Sequence, residues 1–98
     1  MDENYELNGI RFVWSCSKAR KNRLKHGVGF QQAAEAFFDP FLRVVDASSP
    51  DETRDAVIGM DRHWHLLFVV HVMLPDERIR LVSARKATAS ERRHYEDQ

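Results

Sequence analysis

Residues 53–85 decide the fold, and they read TRDAVIGMDRHWHLLFVVHVMLPDERIRLVSAR. Runs rich in β-branched and aromatic residues predict three strands here, at residues 53–60, 64–73 and 78–85. A tight connection around Asp61-Arg62 joins the first two strands, and Pro75-Asp76-Glu77 supplies the second turn. Links this short require antiparallel pairing, so the stretch predicts a β-meander.

Flanking segments add further strands and helices to this meander. We predict strands at residues 10–14 and 41–45, and helices at 18–27, from 30 to Asp39-Pro40, and from 88 to 95. Phe30, Ala33, Ala34 and Phe37 form the apolar stripe of the second helix. Thr88-Ala89-Ser90-Glu91 is a capping box that begins the last helix.

The order of these elements predicts the fold class. One strand, two helices, four meandering strands and a closing helix indicate an α+β fold. We expect an antiparallel sheet of about four to five strands, with two N-terminal helices and a C-terminal helix gathered on one face. A chain of 98 residues is expected to form a single domain over residues 1–98.

The first helix is unusually cationic and has no apolar stripe. Helical spacing places Lys18, Asn22 and Lys25 on one narrow face, with His26 at its edge. Ser17 is a candidate N-cap, and Gly27 suits the left-handed residue that ends the helix. A capped helix with a cationic ridge is suited to binding a polyanion.

Charge is segregated along the chain although the formal net charge is zero. Every charged residue between Arg11 and Gly29 is basic, acids predominate between Glu35 and Asp61, and cations predominate again after Arg78. This pattern permits a basic face and an acidic face, and the alternative is a mixed solvated surface.

Composition indicates the cellular compartment of the protein and excludes some classes of protein. Cys16 is the only cysteine, which excludes an internal disulfide and favours a reducing compartment. The acidic N-terminus lacks a signal sequence, and the apolar run at 66–74 is too short to span a membrane. We therefore expect a cytoplasmic protein without membrane contacts. No phosphate-binding glycine loop is present, which argues against a nucleotide-hydrolysing enzyme.

Basic residues of the last strand suggest a phosphate site. Arg80 lies on the strand and Arg85 at its end, where guanidinium groups near a helix start can bind phosphate. With Lys25 they would stabilise the charge that develops when an RNA 2′-hydroxyl attacks the adjacent phosphate. His26 and Glu52 are candidate proton-transfer groups. The alternative is that these residues are surface charges in ion pairs.

A metal site is not expected from the histidines. His63 and His65 are suitably spaced, but no Cys or carboxylate partner is placed to complete a zinc site. We expect no metal and no cofactor.

Several segments, taken together, resemble the BrnT family of ribonuclease toxins from bacterial type II toxin–antitoxin systems. The matching residues are Phe12-Val13-Trp14, Lys18, Asn22, Lys25-His26-Gly27-Val28, Phe30, Ala33, Phe37, Asp39-Pro40, Glu52, Arg54, Gly59, the run from Arg80 to Ala87, Glu91-Arg92 and Tyr95. One departure is Ser15, where the family usually has an acidic residue after the tryptophan.

The resemblance implies a RelE-like fold and a toxin that cleaves RNA and inhibits translation. It also implies a BrnA-like ribbon-helix-helix antitoxin, through which alone the complex would bind operator DNA. The candidate catalytic residues are His26, Glu52, Arg80 and Arg85. Substrate contacts fall on Lys18, Lys25, Arg54 and Tyr95, where the tyrosine would stack on a base.

Two other hypotheses remain open at this point. The same basic face would suit a non-catalytic module that binds RNA or the ribosome. It would also suit an interaction protein whose arginines dock an acidic partner.

Overall fold

The computed structural model describes residues 1–97 and contains six strands, three α-helices and one 3₁₀ turn. The strands are β1 (Asp2–Leu7), β2 (Ile10–Ser15), β3 (Arg43–Asp46), β4 (Asp55–Met60), β5 (Leu66–Met73) and β6 (Ile79–Lys86). The helices are α1 (Cys16–His26), α2 (Phe30–Glu35) and α3 (Ala89–Glu96), and the 3₁₀ turn is Ala36–Phe38.

The strands form one mixed sheet in the order β1-β2-β6-β5-β4-β3. The α+β class and the antiparallel meander from β3 to β6 are confirmed. The prediction of an antiparallel sheet of four to five strands was wrong, because β2 pairs with β6 in parallel. The two α-helices and the 3₁₀ turn carry the chain from β2 to β3 at the opposite edge of the sheet, and the meander then returns to place β6 beside β2.

The strand missed from the sequence is β1, which pairs with β2 along its whole length. Its acidic composition is untypical of a strand. The turn that joins β1 to β2 is Asn8-Gly9, and its two residues have φ values of 50° and 83°. Asn-Gly is a strong signal for a two-residue hairpin, so the sequence did contain the evidence.

Some predicted boundaries also moved. Ser15, rather than Ser17, is the N-cap of α1, since its hydroxyl accepts a hydrogen bond from the Lys18 N–H. Gly27 ends α1 with φ 71°, as predicted, and donates its N–H to the Arg23 carbonyl at 2.8 Å. Thr88 and Glu91 form the predicted capping box of α3.

The main core lies between the sheet and the segment from α1 to the 3₁₀ turn. Its buried side chains include Phe12, Trp14, Phe30, Ala33, Ala34, Leu67, Val69 and Leu81. Gly59 allows the 3₁₀ turn to pack directly on β4, because a Cβ at this position would lie 2.5 Å from the Ala36 carbonyl oxygen. A side chain at 59 would force these two elements apart.

The opposite face of the sheet is partly covered by α3. Arg43, Ile58, Phe68 and Arg85 are cross-strand neighbours on this face. The two arginines bind α3, one through the Asp97 carbonyl at 2.6 Å and the other through Glu91. The three helices are therefore not gathered on one face as predicted. None of the helices in residues 1–97 is long and apolar enough to cross a membrane.

Candidate functional site

The orientation of α1 is fixed by Asn22, which is only 7% exposed. Its side-chain amide donates to the carbonyls of Val28 at 3.0 Å and Ala84 at 2.8 Å. Its side-chain oxygen accepts the Ala84 N–H at 3.0 Å. Asn22 therefore faces β6, and it does not belong to a solvent-exposed cationic ridge.

With Asn22 turned inward, the cations of α1 lie on two flanks of the helix. Ala19 packs against the core cluster on one flank. Lys18 and Lys25 are exposed on the other, because helical geometry rotates them to the opposite side of Asn22 from Ala19. Their flank adjoins the sheet face that α3 partly covers, which we call the α3 face.

Arg80 lies on the α3 face, since its neighbours Ile79 and Leu81 point into the core. Its guanidinium forms an ion pair with Asp2 of β1 at 3.0 Å. The hydrogen bond from Arg80 is the main reason that the pKa of Asp2 lies below its ordinary value. The strand missed from the sequence thus contributes the partner of a predicted site residue.

Arg85 reaches the same face only because of an irregularity in the pairing of β5 with β6. Residues five apart on a regular strand point to opposite faces. The register shifts at Val70/His71, so that Arg80 pairs with Val72 and Arg85 with Phe68. Those two partners lie four residues apart and therefore share a face. This β-bulge brings the two predicted arginines to one side of the sheet.

The Arg85 side chain is held on both sides. Its guanidinium carbon lies 4.3 Å from the centre of the Phe68 ring, within the range of a cation–π contact. Its two terminal nitrogens donate to the two carboxylate oxygens of Glu91 at 2.8 and 2.9 Å. These hydrogen bonds hold the pKa of Glu91 below its usual range and raise that of Arg85.

Glu52 and Arg54 lie together in the loop between β3 and β4. Their side chains form an ion pair at 3.0 Å, and Ser48 fixes the backbone of Arg54 through its hydroxyl. The hydrogen bond from Arg54 is the main cause of a lowered pKa for Glu52, to which the charge of Lys18 also contributes. The loop therefore faces the first turn of α1.

Tyr95 is anchored by its hydroxyl, which donates to Asp39 at 2.6 Å. Burial, together with this hydrogen bond, raises the pKa of Tyr95 to about 12. Asp39 also accepts the N–H groups of Phe41 and Met60. The tyrosine thus links α3 to the turn that precedes β3.

The predicted residues fall into three groups. Glu52 and Arg54 are in direct contact, and Lys18 lies close enough to influence Glu52. Arg80 and Arg85 share the α3 face but bind different carboxylates. His26 lies half-buried in the last turn of α1, and Lys25 is exposed beside it.

Residues 14–91 match the family model described as the ribonuclease toxin, BrnT, of type II toxin–antitoxin systems. The chain belongs to the BrnT family. No curated protein matches it. Membership in a type II toxin–antitoxin family implies an antitoxin partner.

The BrnT family departure at Ser15 has a structural explanation. The Ser15 hydroxyl caps α1, and an aspartate would serve equally well at an N-cap. A BrnT chain with serine here keeps the start of α1. Among residues 1–97, no group of three or more His, Cys, Asp or Glu side chains is arranged to hold a metal ion.

Proposed function

We propose that this protein is a metal-independent endoribonuclease that inhibits translation in the cytoplasm. Its substrate would be RNA, cleaved by attack of a 2′-hydroxyl on the adjacent phosphate. The attack releases the 5′-oxygen and leaves a 2′,3′-cyclic phosphate on the other fragment. A BrnA-like ribbon-helix-helix antitoxin would neutralise the enzyme, and operator DNA would be bound through that antitoxin.

The observation that carries this proposal is the clustering of cations around the α3 face. Arg80 and Arg85 share that face, and Lys18 and Lys25 project from the adjoining flank of α1. Guanidinium groups bind phosphate oxygens bidentately, and fixed cations stabilise the charge that builds up in phosphoryl transfer. A polyanion that carries successive phosphates along its backbone suits such a surface.

The two predicted arginines of the face are each bound to a carboxylate, Arg80 to Asp2 and Arg85 to Glu91. The four side chains are between 20% and 49% exposed, so solvent and substrate reach both pairs. An exposed ion pair contributes little net stability. A phosphate can therefore compete for these guanidiniums at small cost, or share them with the carboxylates.

Proton transfer is assigned to His26 or Glu52. Glu52 is ionised at neutral pH, as an ordinary glutamate is, and the hydrogen bond from Arg54 lowers its pKa further, so its carboxylate is available to accept the proton of the 2′-hydroxyl. Lys18, the α1 residue that Glu52 senses, lies eight residues before His26, or about 12 Å along the helix. We therefore expect only one of these two groups to act at the scissile phosphate, with a second acid still to be found.

The test is RNA cleavage by the purified protein in excess EDTA. The wild type is expected to cleave and to leave 5′-hydroxyl ends, which distinguish 2′-hydroxyl attack from hydrolysis that leaves a 5′-phosphate. Arg80→Ala is expected to lower the rate about a hundredfold. Cleavage abolished by EDTA, or equal in the wild type and the variant, would contradict the proposal.

Asp2→Ala is the matched control for Arg80→Ala. Both variants break the same 3.0 Å ion pair, but only one removes the guanidinium. Asp2→Ala is expected to cleave RNA at least as fast as the wild type. An equal loss in the two variants would mean that the ion pair, and not the arginine, is what matters.

A second candidate is a non-catalytic module that binds RNA or the ribosome. It is favoured by the eight-residue spacing along α1 between Lys18, which influences Glu52, and His26, because one phosphate is then not expected to reach both proton-transfer candidates. Binding that weakens steeply with salt, without cleavage even on added ribosomes, would select this alternative.

A further inference from the structure

The second flank of α1 borders a cavity that the proposed catalytic face does not include. The cavity has a volume of about 630 Å³ and lies between α1, α2 and the turn from β4 to β5. Arg20 and Arg23 contribute its basic side chains, and His63 lines it from the turn.

The arginines of this cavity differ from most others in the protein. Six arginines each form an ion pair with a carboxylate, namely Arg54, Arg62, Arg78, Arg80, Arg85 and Arg92. Within residues 1–97, neither Arg20 nor Arg23 forms one. Both are exposed, so their guanidiniums remain available to an anion.

Two carboxylates, Glu3 and Glu35, also line the cavity, and each has a partner other than Arg20 or Arg23. The Glu35 carboxylate forms an ion pair with the Arg62 guanidinium at 3.1 Å. The Glu3 carboxylate accepts a hydrogen bond from the indole N–H of Trp14 at 3.2 Å. The guanidinium of Arg23 is packed against Gly29, where a Cβ would lie 2.9 Å from its terminal nitrogen. The position of Arg23 therefore depends on the missing side chain at 29.

The neighbouring turn displays an aromatic side chain. Trp64 is 81% exposed and has a φ of 68°, a left-handed conformation that is rare for a bulky residue. The buried carboxylate of Asp61 holds this turn by accepting the N–H groups of His63 and His65. Gln32 of α2 donates to the same carboxylate at 2.8 Å, which fixes the turn to the wall of the cavity.

We propose that Arg20, Arg23 and Trp64 form a second RNA-contact surface, in which the arginines bind phosphates and the tryptophan stacks on a base. The arginines lie on one side of the turn and the exposed ring on the other, so together they offer the phosphate contacts and the stacking contact that bind single-stranded nucleic acid. This inference rests on the proposed function, since it takes RNA as the ligand.

The surface lies close to the end of the proposed catalytic strand. The Ala87 N–H donates to the Leu66 carbonyl at 2.9 Å, so the residues just after Arg85 adjoin those just after Trp64. An RNA strand bound at Arg85 can pass round this end of β6 and reach the turn. The second surface would then hold nucleotides away from the cleaved bond.

A protein partner is the competing occupant of Trp64. On its other side the turn borders a second cavity of about 380 Å³, which Trp64 itself lines together with apolar residues (Leu7, Phe38, Pro40 and Met60) and with the carboxylates of Glu35, Asp39 and Asp61. We favour RNA because Arg20 and Arg23, on the side of the turn that His63 lines, have no carboxylate partner within residues 1–97.

The first experiment measures binding of a single-stranded RNA of about 12 nucleotides whose 2′-O-methyl groups prevent cleavage. The protein has two tryptophans, and Trp14 is only 2% exposed, so stacking is expected to quench the Trp64 fluorescence selectively. Trp64→Ala should remove the quenching and weaken binding roughly tenfold.

Arg20→Ala combined with Arg23→Ala should lower the slope of log affinity against log salt by about 1.4, since each phosphate contact on a single strand contributes about 0.7. Arg11→Ala combined with Arg92→Ala removes the same charge elsewhere and serves as the control. Gly29→Ala, which displaces the Arg23 guanidinium without removing charge, should weaken binding to a smaller extent.

Cleavage separates this surface from the catalytic one. If the wild type cleaves, the Trp64 and Arg20/Arg23 variants should lower kcat/KM on the long RNA and leave a dinucleotide unaffected. If it cleaves neither substrate but the Trp64 quenching persists, the enzymatic proposal fails and this surface stands. If these variants keep the wild-type affinity and the wild-type slope of log affinity against log salt, the inference is overturned. A Trp64→Ala defect confined to a co-expressed protein partner would also overturn it.

Discussion

The side chain of Asn22 forms with the backbone of Ala84 the two hydrogen bonds that a neighbouring strand would form. The amide donates to the carbonyl at 2.8 Å and accepts the N–H at 3.0 Å. β2 pairs with β6 only at Ile79 and Arg80. Beyond that point Asn22 satisfies the open edge of β6 and ties α1, with its lysines and His26, to the strand that carries Arg80 and Arg85.

Asn22→Ala is expected to destabilise the protein by about 3 kcal/mol or more, because buried backbone groups of Ala84 and Val28 lose their partners. Urea unfolding gives the measurement. Lys21→Ala, an exposed change on the same helix, should stay within about 0.5 kcal/mol of the wild type. Equal midpoints for Asn22→Ala and Lys21→Ala would show that the amide contributes no such clamp.

Asp61 should make the stability depend on acid pH. Burial alone would raise the pKa of this carboxyl, but hydrogen bonds from His65, Gln32 and His63 outweigh it and lower the pKa to about 2. A folded-state pKa below the ordinary 3.8 means that the contribution is complete above about pH 4 and is lost as the pH falls through about 2. The expected loss is about 2 kcal/mol.

Urea midpoints between pH 5 and pH 2 test this dependence. Asp61→Asn cannot ionise, so its stability should fall less steeply over the interval than that of the wild type. Parallel pH profiles for the two proteins would mean that other carboxyls account for the acid sensitivity.

The fold class and the meander followed from the sequence because hydrophobic patterning and short turns determine them locally. The strand β1 was not predicted, because its acidic composition is untypical of a strand, although Asn8-Gly9 is a hairpin signal. Pairing with β2 stabilises β1 in spite of that composition. The parallel neighbour of β2 is β6, and most of the chain separates these two strands in sequence. No local pattern specifies such a contact.

The candidate site was predictable as a set of residue types and not as an arrangement. Arg80 and Arg85 share a face through a β-bulge that has no sequence signature here. Their carboxylate partners come from opposite ends of the chain, Asp2 from β1 and Glu91 from α3. Asn22 was grouped with the cations because helical spacing places it between them, whereas burial against β6 decides its role.

Tyr95→Phe separates the two roles that this residue could have. It removes the hydrogen bond to Asp39 and keeps the ring. We expect a loss of about 1 to 2 kcal/mol in unfolding free energy, because the acceptor is a charged carboxylate and the contact is partly buried. RNA affinity should be unchanged if the ring stacks on a base and should fall in Tyr95→Leu.

Alkaline unfolding gives a second readout for the tyrosine. Its pKa is raised to about 12, so the wild type keeps this contribution below pH 10 and loses it as the pH rises through about 12. The phenylalanine variant should lack that loss. Identical alkaline profiles would contradict an anchoring role, and equal RNA affinities for Tyr95→Phe and Tyr95→Leu would contradict stacking.

Glu91→Gln tests whether Arg85 is held back from RNA by its own ion pair. Glutamine still completes a capping box with Thr88, so α3 should begin normally. The guanidinium of Arg85 loses its anionic partner but keeps its contact with Phe68. Affinity for 2′-O-methyl RNA should rise severalfold at fixed salt, while unfolding free energy falls by about 1 kcal/mol.

Arg85→Ala should lose affinity in the same assay, which shows that the gain in Glu91→Gln depends on the freed guanidinium. The double variant Arg85→Ala/Glu91→Gln should then bind no better than Arg85→Ala alone, since Glu91 acts only through its arginine. Weaker binding by Glu91→Gln would instead mean that the carboxylate positions Arg85 for phosphate. The ion pair would then belong to the site as a positioning contact, and phosphate would add to it without displacing the carboxylate.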